Sequence, residues 1–146
     1  MTNDVLGKAL SWAWRAQQYA RPHTHALPFA EQLRAAYTTA LTAADGRAYS
    51  AGYGANGHDA RDTAPLCELR MPDGQRVTHL ATSLMYAAAA TEGGALYTWG
   101  IDSDAGRLGL GVRDDRRVAT PQLAWQGPGR ITALACGGEA LLVCIE

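Results

Sequence analysis

A strand-like pattern that recurs after 54 residues is the feature that most constrains the fold. The segment Val77–Thr82 reads Val-Thr-His-Leu-Ala-Thr, and Ile131–Cys136 reads Ile-Thr-Ala-Leu-Ala-Cys. A fixed period in this range is typical of repeat architectures, in which one supersecondary unit is copied along the chain. We therefore expect a repeat array.

The stretch Ala95–Gly111 shows how one repeat is built. Its first half is an apolar and aromatic run that stops at Gly100, as a short strand before a turn does. Its second half places glycines at positions 106, 109 and 111 around Leu108 and Leu110. Glycines let two backbones approach closely while the leucines fill a core. The stretch predicts a strand–turn–strand unit and disfavours a helix.

Other copies are recognised by their turns. Asp45-Gly46 and Gly93-Gly94, 48 residues apart, are hairpin signals that each follow a β-prone run. The predicted strands are Tyr37–Thr42, Arg47–Gly52, Leu66–Leu69, Tyr86–Thr91, Leu96–Gly100 and Leu123–Trp125. The fully apolar run Leu141–Ile145 predicts one more strand, buried on both faces.

Charge and cysteine content narrow the function classes. The net charge is -1, from 13 basic and 14 acidic residues, which gives no support for electrostatic binding of nucleic acid or an anionic membrane. No apolar run approaches the roughly 18 residues of a membrane span, so we expect none. Three cysteines without disulfide or zinc spacing predict an intracellular, reducing compartment, either cytoplasm or nucleus.

Residues 1–30 allow three interpretations. Val5, Ala9, Trp12, Ala16 and Tyr19 fall on one helical stripe, which favours a docking helix. The segment is also basic, as a mitochondrial transit peptide is, so a mitochondrial location stays open. Its Ala-Leu-Ser-Trp-Ala sequence equally resembles a degenerate copy of the strand that ends at Gly100.

The repeat resembles the regulator of chromosome condensation (RCC1) repeat, a four-stranded blade of a β-propeller. Leu134–Glu139 matches its Ala-Cys-Gly segment, Thr91–Gly94 and Tyr97–Gly100 its middle strands, and Gly106–Gly111 its Gly-Gln-Leu-Gly block. A later proline of the pattern is matched at position 121. The first copy departs from the pattern, because it has no Trp and shows no Gly-Gln-Leu-Gly block.

The resemblance implies an all-β fold, a partial propeller of about two to three four-stranded blades preceded by an irregular or helical segment. We divide the chain into residues 1–30 and a repeat region 31–146, with copies at about 37–82 and 83–136 and a third begun at 131–146. Propellers of this family have seven blades, which needs roughly 350 residues. This chain therefore offers part of a ring, whose open ends leave unpaired edges and apolar faces.

Candidate chemical sites are weak. Asp102–Gly106 looks like the start of a calcium loop, but Arg113 stands where the bidentate Glu belongs, so we expect a polar loop. His23 and His25 have no evident third metal ligand. Cys136 and the other cysteines lie mostly in apolar strands and are expected to be buried and inert. We predict no catalytic residue, no cofactor and no metal.

These observations predict a non-catalytic scaffold for protein–protein interaction, with other protein subunits covering its open ends. Tryptophans and exposed loop charges are the usual contact residues of such surfaces. The candidates are Trp14, Arg113, Arg116, Arg117 and Trp125. The family name suggests two alternatives, a guanine-nucleotide exchange factor that acts on a small GTPase and a chromatin-bound propeller. A third alternative is a subunit of a mitochondrial complex.

Overall fold

The computed structural model describes residues 39–42, 45–53, 55–58, 63–111 and 116–146. The N-terminal segment 1–30, with its three interpretations, lies outside these residues. Within them every regular element is a β-strand, and strands paired in a sheet run antiparallel. The prediction of an all-β chain is confirmed.

Nine strands form in the described part of the chain. They are β1 (Thr39–Thr42), β2 (Ala48–Tyr53), β3 (Thr63–Leu69), β4 (Val77–Thr82), β5 (Tyr86–Thr91), β6 (Ala95–Ile101), β7 (Arg117–Gln126), β8 (Ile131–Cys136) and β9 (Leu141–Ile145). The first sheet has the order β1-β2-β3, the second sheet β4-β5-β6-β7 and the third sheet β8-β9. The second sheet is a four-stranded meander, as one complete propeller blade requires.

Strand β5 explains how the sheets stack. It contains the four consecutive alanines 87–90, each 0% exposed. Because side chains alternate along a strand, Ala87 and Ala89 pack in the core shared with the first sheet. Ala88 and Ala90 pack in the core shared with the third sheet. A strand of small residues therefore lets neighbouring sheets close on both of its faces.

Contacts between sheets repeat with the sequence period. Val77 and Ile131 begin β4 and β8 and are 5% and 2% exposed, each at the junction with the preceding sheet. The hairpin glycines Gly46 and Gly94 have φ of +80° and +77°. A Cβ on Gly46 would lie 2.7 Å from the Cβ of Arg76, and one on Gly94 2.9 Å from the carbonyl oxygen of Gly129. These two turns need glycine for both conformation and space.

The outer strands are longer than predicted. The loop after Gly100 was expected to run to Pro121, but β7 begins at Arg117, and Pro121 is a buried residue within it. A proline removes one ladder donor, which an edge strand or a bulge tolerates. Both conditions hold, because β7 lies at the sheet edge and its register with β6 shifts between Thr98 and Gly100. Pro65 is accommodated in the same way within β3, an edge strand, beside the register shift between Ser50 and Gly52.

The first copy keeps one contact of the block that its sequence lacks. In the second sheet the Thr98 hydroxyl donates to the carbonyl of Leu108 at 2.7 Å. Ser50, 48 residues earlier, donates in the same way to the carbonyl of Asn56. Asn56 therefore takes the place of Leu108 in this contact, although the Gly-Gln-Leu-Gly sequence itself is absent from the first copy. A buried Asn in place of the Leu hides the likeness in the sequence.

The hydrogen-bonded sheets do not start where the sequence copies were divided. The second copy was placed at 83–136, whereas β4, Val77–Thr82, pairs with β5 and belongs to the second sheet. The first residue of a repeating unit can be set anywhere within the period. The boundary at residue 83 was set from the sequence pattern, and it does not follow the pairing of strands in the sheet. In the described part of the chain no helix has the length and hydropathy needed to cross a membrane.

Candidate interaction surface

The third sheet presents an apolar face to solvent. Its inward side chains, Leu134, Cys136, Leu141 and Val143, pack on the core shared with the second sheet. The alternate positions Ala133, Ala135, Leu142 and Cys144 are all exposed, Leu142 by 69%. Register pairs Ala133 with Cys144 and Ala135 with Leu142, so the four lie side by side. We call these four residues the outer face.

The second sheet shows what the outer face is suited to. Leu142 and Cys144 lie 54 residues after Ala88 and Ala90, and the cross-strand pairs correspond, with Ala135–Leu142 matching Ala81–Ala88. Ala88 and Ala90 are 0% exposed because the third sheet covers them. Leu142 and Cys144 of the outer face therefore occupy positions that a neighbouring sheet covers in this same chain, whereas His79 and Ala81, the counterparts of Ala133 and Ala135, are partly buried.

The expectation that Leu141–Ile145 is buried on both faces is wrong for this reason. Leu141 and Val143 are partly buried, whereas Leu142 and Ile145 are 69% and 46% exposed. An apolar strand is buried on both faces only when a sheet lies on each side of it. In the described structure β9 has the second sheet on one side alone.

A partly buried polar loop follows β6 and contacts the third sheet through Arg107. Asp102 and Ser103 are 0% and 5% exposed, so the start of the loop that was expected to be polar lies in the interior. Asp102 Oδ1 accepts hydrogen bonds from the backbone nitrogens of Ser103 at 2.9 Å and Leu108 at 3.1 Å. The carboxylate thereby shapes the glycine-rich turn, which places Leu108 in the interior at 0% exposure.

Two polar contacts fasten the third sheet to the second. Arg107, whose side chain is 9% exposed, forms an ion pair with Glu139 at 3.2 Å. The hydroxyl of Tyr86 donates to the carbonyl of Ala140 at 2.6 Å. Both acceptors lie in the turn that joins β8 to β9, so this hairpin is held at its turn.

The cysteines differ in environment. Burial raises the pKa of the Cys136 thiol to about 12, and burial likewise raises the pKa of the neighbouring Tyr86 to about 12. Since the thiolate is the nucleophile, this raised pKa favours the predicted low reactivity of Cys136, a partly buried side chain. The prediction is wrong for Cys144, which is exposed on the outer face.

A serine–histidine contact in the first sheet was not predicted. His58 Nε2 lies 2.9 Å from the hydroxyl of Ser50, a fully buried residue. That hydroxyl donates its proton to the carbonyl of Asn56, so the imidazole is the donor to Ser50. A nucleophilic serine needs the reverse arrangement, with the histidine as proton acceptor. The cluster instead anchors segment 55–58 beneath the strand.

The predicted contact residues fall in different surroundings. Trp14 and Arg113 lie outside the described residues. Arg116 and Arg117 are exposed at the start of β7, and the carbonyl of Arg116 accepts from the backbone nitrogen of Asp102 at 2.8 Å. Trp125 is half-buried against the second core. None of the described three belongs to the outer face, and their contact role stays a prediction.

The described side chains form no cluster suited to a metal ion. Among them no group of three His, Cys, Asp or Glu residues is placed to hold one. His23 and His25 lie outside the described ranges.

Comparison with known proteins gives a family match over residues that include the third sheet. The sequence model of the regulator of chromosome condensation (RCC1) repeat matches residues 93–144. The human E3 ubiquitin-protein ligase HERC2 is 37% identical over 112 residues, which is 70% of this chain and 2% of that protein. The mitochondrial RCC1 domain-containing protein RUG3 of Arabidopsis thaliana is 44% identical over 93 residues, 60% of this chain and 21% of that protein.

A shorter match involves Ras guanine nucleotide exchange factor C of Dictyostelium discoideum, 44% identical over 54 residues, 37% of this chain and 4% of that protein. The chain thus spans only a small part of the curated relatives that it matches.

Two solved structures share the fold. Human WBSCR16 superposes with a TM-score of 0.60 at 24% identity, and Prp20p of Saccharomyces cerevisiae with 0.57 at 18% identity. Each superposition covers 73% of this chain and 28% of the other. The sequence matches show that the chain carries RCC1-type repeats, and the stacked sheets and the two solved structures show that these fold as part of a β-propeller.

Proposed function

We propose that the chain is a non-catalytic scaffold for protein–protein interaction and that the outer face is its main contact surface. The observation that carries the proposal is the exposure of four adjacent apolar side chains, two of which, Leu142 and Cys144, stand at positions whose equivalents in the second sheet, Ala88 and Ala90, are fully buried. Contiguous exposed apolar side chains on a folded domain mark interaction sites.

The surface fits a β-sheet as its occupant. At the existing junction Ile131, a β-branched side chain, lies in the same core as Ala88, Ala90 and Leu96. A sheet that offers a β-branched or similar apolar side chain would meet Leu142 and Cys144 in the same way. Another protein subunit with repeats of this type has that chemistry.

Replacing Leu142 by glutamate tests the proposal. We expect the 146-residue chain to self-associate at micromolar concentration through the outer face, with burial of Leu142 between two copies contributing about 2 kcal/mol. A charge there should raise the dissociation constant at least about tenfold. Sedimentation velocity measures this shift, and Leu142 is exposed enough for the fold to tolerate the change.

Leu123→Glu is the matched control. Leu123 is 51% exposed, but it lies on β7 of the second sheet, so the same charge change there should leave association unchanged. A wild-type chain that is monomeric and melts cooperatively at the same concentration would contradict the proposal. So would equal effects of the two variants.

Cys144 gives a second readout of the same surface. In the associated wild-type chain iodoacetamide should modify Cys144 slowly relative to Cys67, which lies in the first sheet. In the Leu142→Glu variant the Cys144 rate should rise severalfold, and Cys136 should stay unreactive because its pKa is raised by burial. Mass spectrometry of the alkylated peptides separates the three sites.

A second candidate function is regulation of guanine-nucleotide exchange on a small GTPase. It is supported by the match to a protein named Ras guanine nucleotide exchange factor C, although that match covers only 4% of it. Prp20p, whose structure is described with its binding to Gsp1p and histones, supports the fold and adds histone binding as a related alternative. An assay of labelled-nucleotide release from candidate GTPases tests the exchange function. DNA binding that does not change with salt concentration would contradict chromatin association.

The compartment is part of the same proposal. All three cysteines are free, which fits a reducing compartment. The relative RUG3 is named as mitochondrial, and the basic composition of segment 1–30 supports the mitochondrion as a third location beside the nucleus and the cytoplasm. Imaging of the chain with a C-terminal fluorescent tag distinguishes the three.

A further inference from the structure

A charged cleft lies between the first and second sheets, away from the outer face. It has a volume of about 390 Å³ and opens between the β1–β2 turn and the turn that follows β3. Its polar lining includes three arginines and one glutamate, Arg47, Arg70, Arg76 and Glu68. We call this the arginine cleft.

The arginine cleft is positive within a chain of net charge -1. Its lining holds three arginines against Glu68, and of the two carboxylates that border it, Asp45 pairs with Arg47 and Asp73 accepts a hydrogen bond from Thr91. The two ion pairs are exposed, with Arg70 82% accessible, so solvent weakens them and the guanidinium groups remain able to exchange partners.

Arg47 is held in place before any ligand arrives, and the side-chain stem of Arg76 packs nearby. Arg47 donates from Nε to Asp45 Oδ2 at 2.7 Å, and its guanidinium carbon lies 5.9 Å from the centre of the Tyr49 ring. Arg76 lies against Gly46, where a Cβ would approach its side-chain carbons to 2.7–3.1 Å. Among the described residues no ion pair engages the Arg76 guanidinium. Fixed guanidinium groups lose less entropy when they bind a carboxylate.

The equivalent junction between the second and third sheets lacks this charge. The cross-strand pair Ala48–Leu69 of the first sheet corresponds to Leu96–Trp125 of the second sheet. Arg47, which precedes Ala48, therefore corresponds to Ala95. Arg70, which follows Leu69, corresponds to Gln126. Arg76 alone has a basic counterpart, Arg130. Packing of two sheets therefore does not require Arg47 or Arg70, because the second junction forms with uncharged residues at both positions.

We propose that the arginine cleft binds an acidic peptide segment of a partner protein, with glutamate or aspartate carboxylates bridging Arg70 and Arg76. Guanidinium groups bind carboxylates through paired hydrogen bonds, and a peptide strand with several carboxylates can contact more than one arginine. This inference concerns a different surface from the outer face, so its failure leaves the proposed scaffold role intact.

Surface plasmon resonance tests the inference. The 146-residue chain is immobilised sparsely, so that self-association does not intervene, and octaglutamate fused to a neutral carrier protein is the analyte. The Arg70→Gln/Arg76→Gln double variant should bind about tenfold more weakly in roughly 50 mM salt, since two exposed ion pairs are lost. Raising the salt to about 0.3 M should weaken wild-type binding through screening.

Arg130→Gln is the matched control, an arginine at the equivalent place of the other junction, and it should change the affinity less than about twofold. The proposal is overturned if octaglutamate binds no better than octaserine on the same carrier, or if Arg130→Gln weakens binding as much as the double variant. It is also overturned if octathymidylate binds as tightly as octaglutamate with the same dependence on Arg70 and Arg76, because the cleft would then bind nucleic acid equally.

Discussion

Replacing Trp99 by alanine is expected to lower the free energy of unfolding by about 3–5 kcal/mol, a large part of the stability of a chain of this size. Trp99 is 0% exposed and is the largest fully buried side chain among the described residues. Its indole nitrogen donates to the carbonyl of Ala55 at 2.9 Å, across the junction with the first sheet. Alanine would leave a cavity and an unpaired buried carbonyl. Urea unfolding followed by circular dichroism measures the change.

Two variants show whether the loss comes from this junction. Trp99→Phe keeps most of the ring but removes the hydrogen bond, so it should cost less than the alanine variant. Trp125→Ala, at a half-buried tryptophan of the second core, should also cost less. If Trp99→Ala and Trp125→Ala destabilise the chain equally, then Trp99 does not hold the first junction as we infer.

The strands could be predicted from the sequence because their signals are local. Alternation and the Asp45-Gly46 and Gly93-Gly94 turns place the hairpins, and the 54-residue period assigns Val77–Thr82 and Ile131–Cys136 to equivalent positions. Strand ends were less predictable. A proline at position 121 is typical of a loop end, but a register shift in an edge strand accommodates it.

The candidate surface could not be predicted in the same way, because exposure depends on neighbours. Leu142 has the sequence surroundings of a buried residue, and only the stacking of sheets shows that nothing among the described residues covers it. Asp102 is the opposite case. Its sequence surroundings are those of a solvated loop, yet two backbone nitrogens bind its carboxylate in the interior. Arg47 and Arg70 are separated in sequence and meet because β2 pairs with β3, and Arg76 joins them because the connection after β3 lies against the β1–β2 turn.

Replacing Gly100 by alanine is expected to destabilise the chain by roughly 3 kcal/mol or more, through backbone strain and a steric clash. Gly100 has φ of +121°, a conformation that L residues rarely adopt. A Cβ there would lie 2.5 Å from the Cα of Tyr86 and closer still to the carbonyl oxygen of Met85. That carbonyl accepts a hydrogen bond from Ile101 at 2.8 Å, so it cannot move away without breaking the pairing of β5 and β6.

Gly109→Ala separates the two contributions. Gly109 has φ of +67°, and a Cβ added to it would have no atom within 4 Å, so alanine there meets conformational strain alone, about 1–2 kcal/mol. The difference between the two variants in urea unfolding therefore measures the clash at the end of β6. A Gly100→Ala variant no less stable than Gly109→Ala would show that β5 and β6 can separate at this point. The close approach of Gly100 to Tyr86 would then not explain why the repeat has a glycine after its tryptophan.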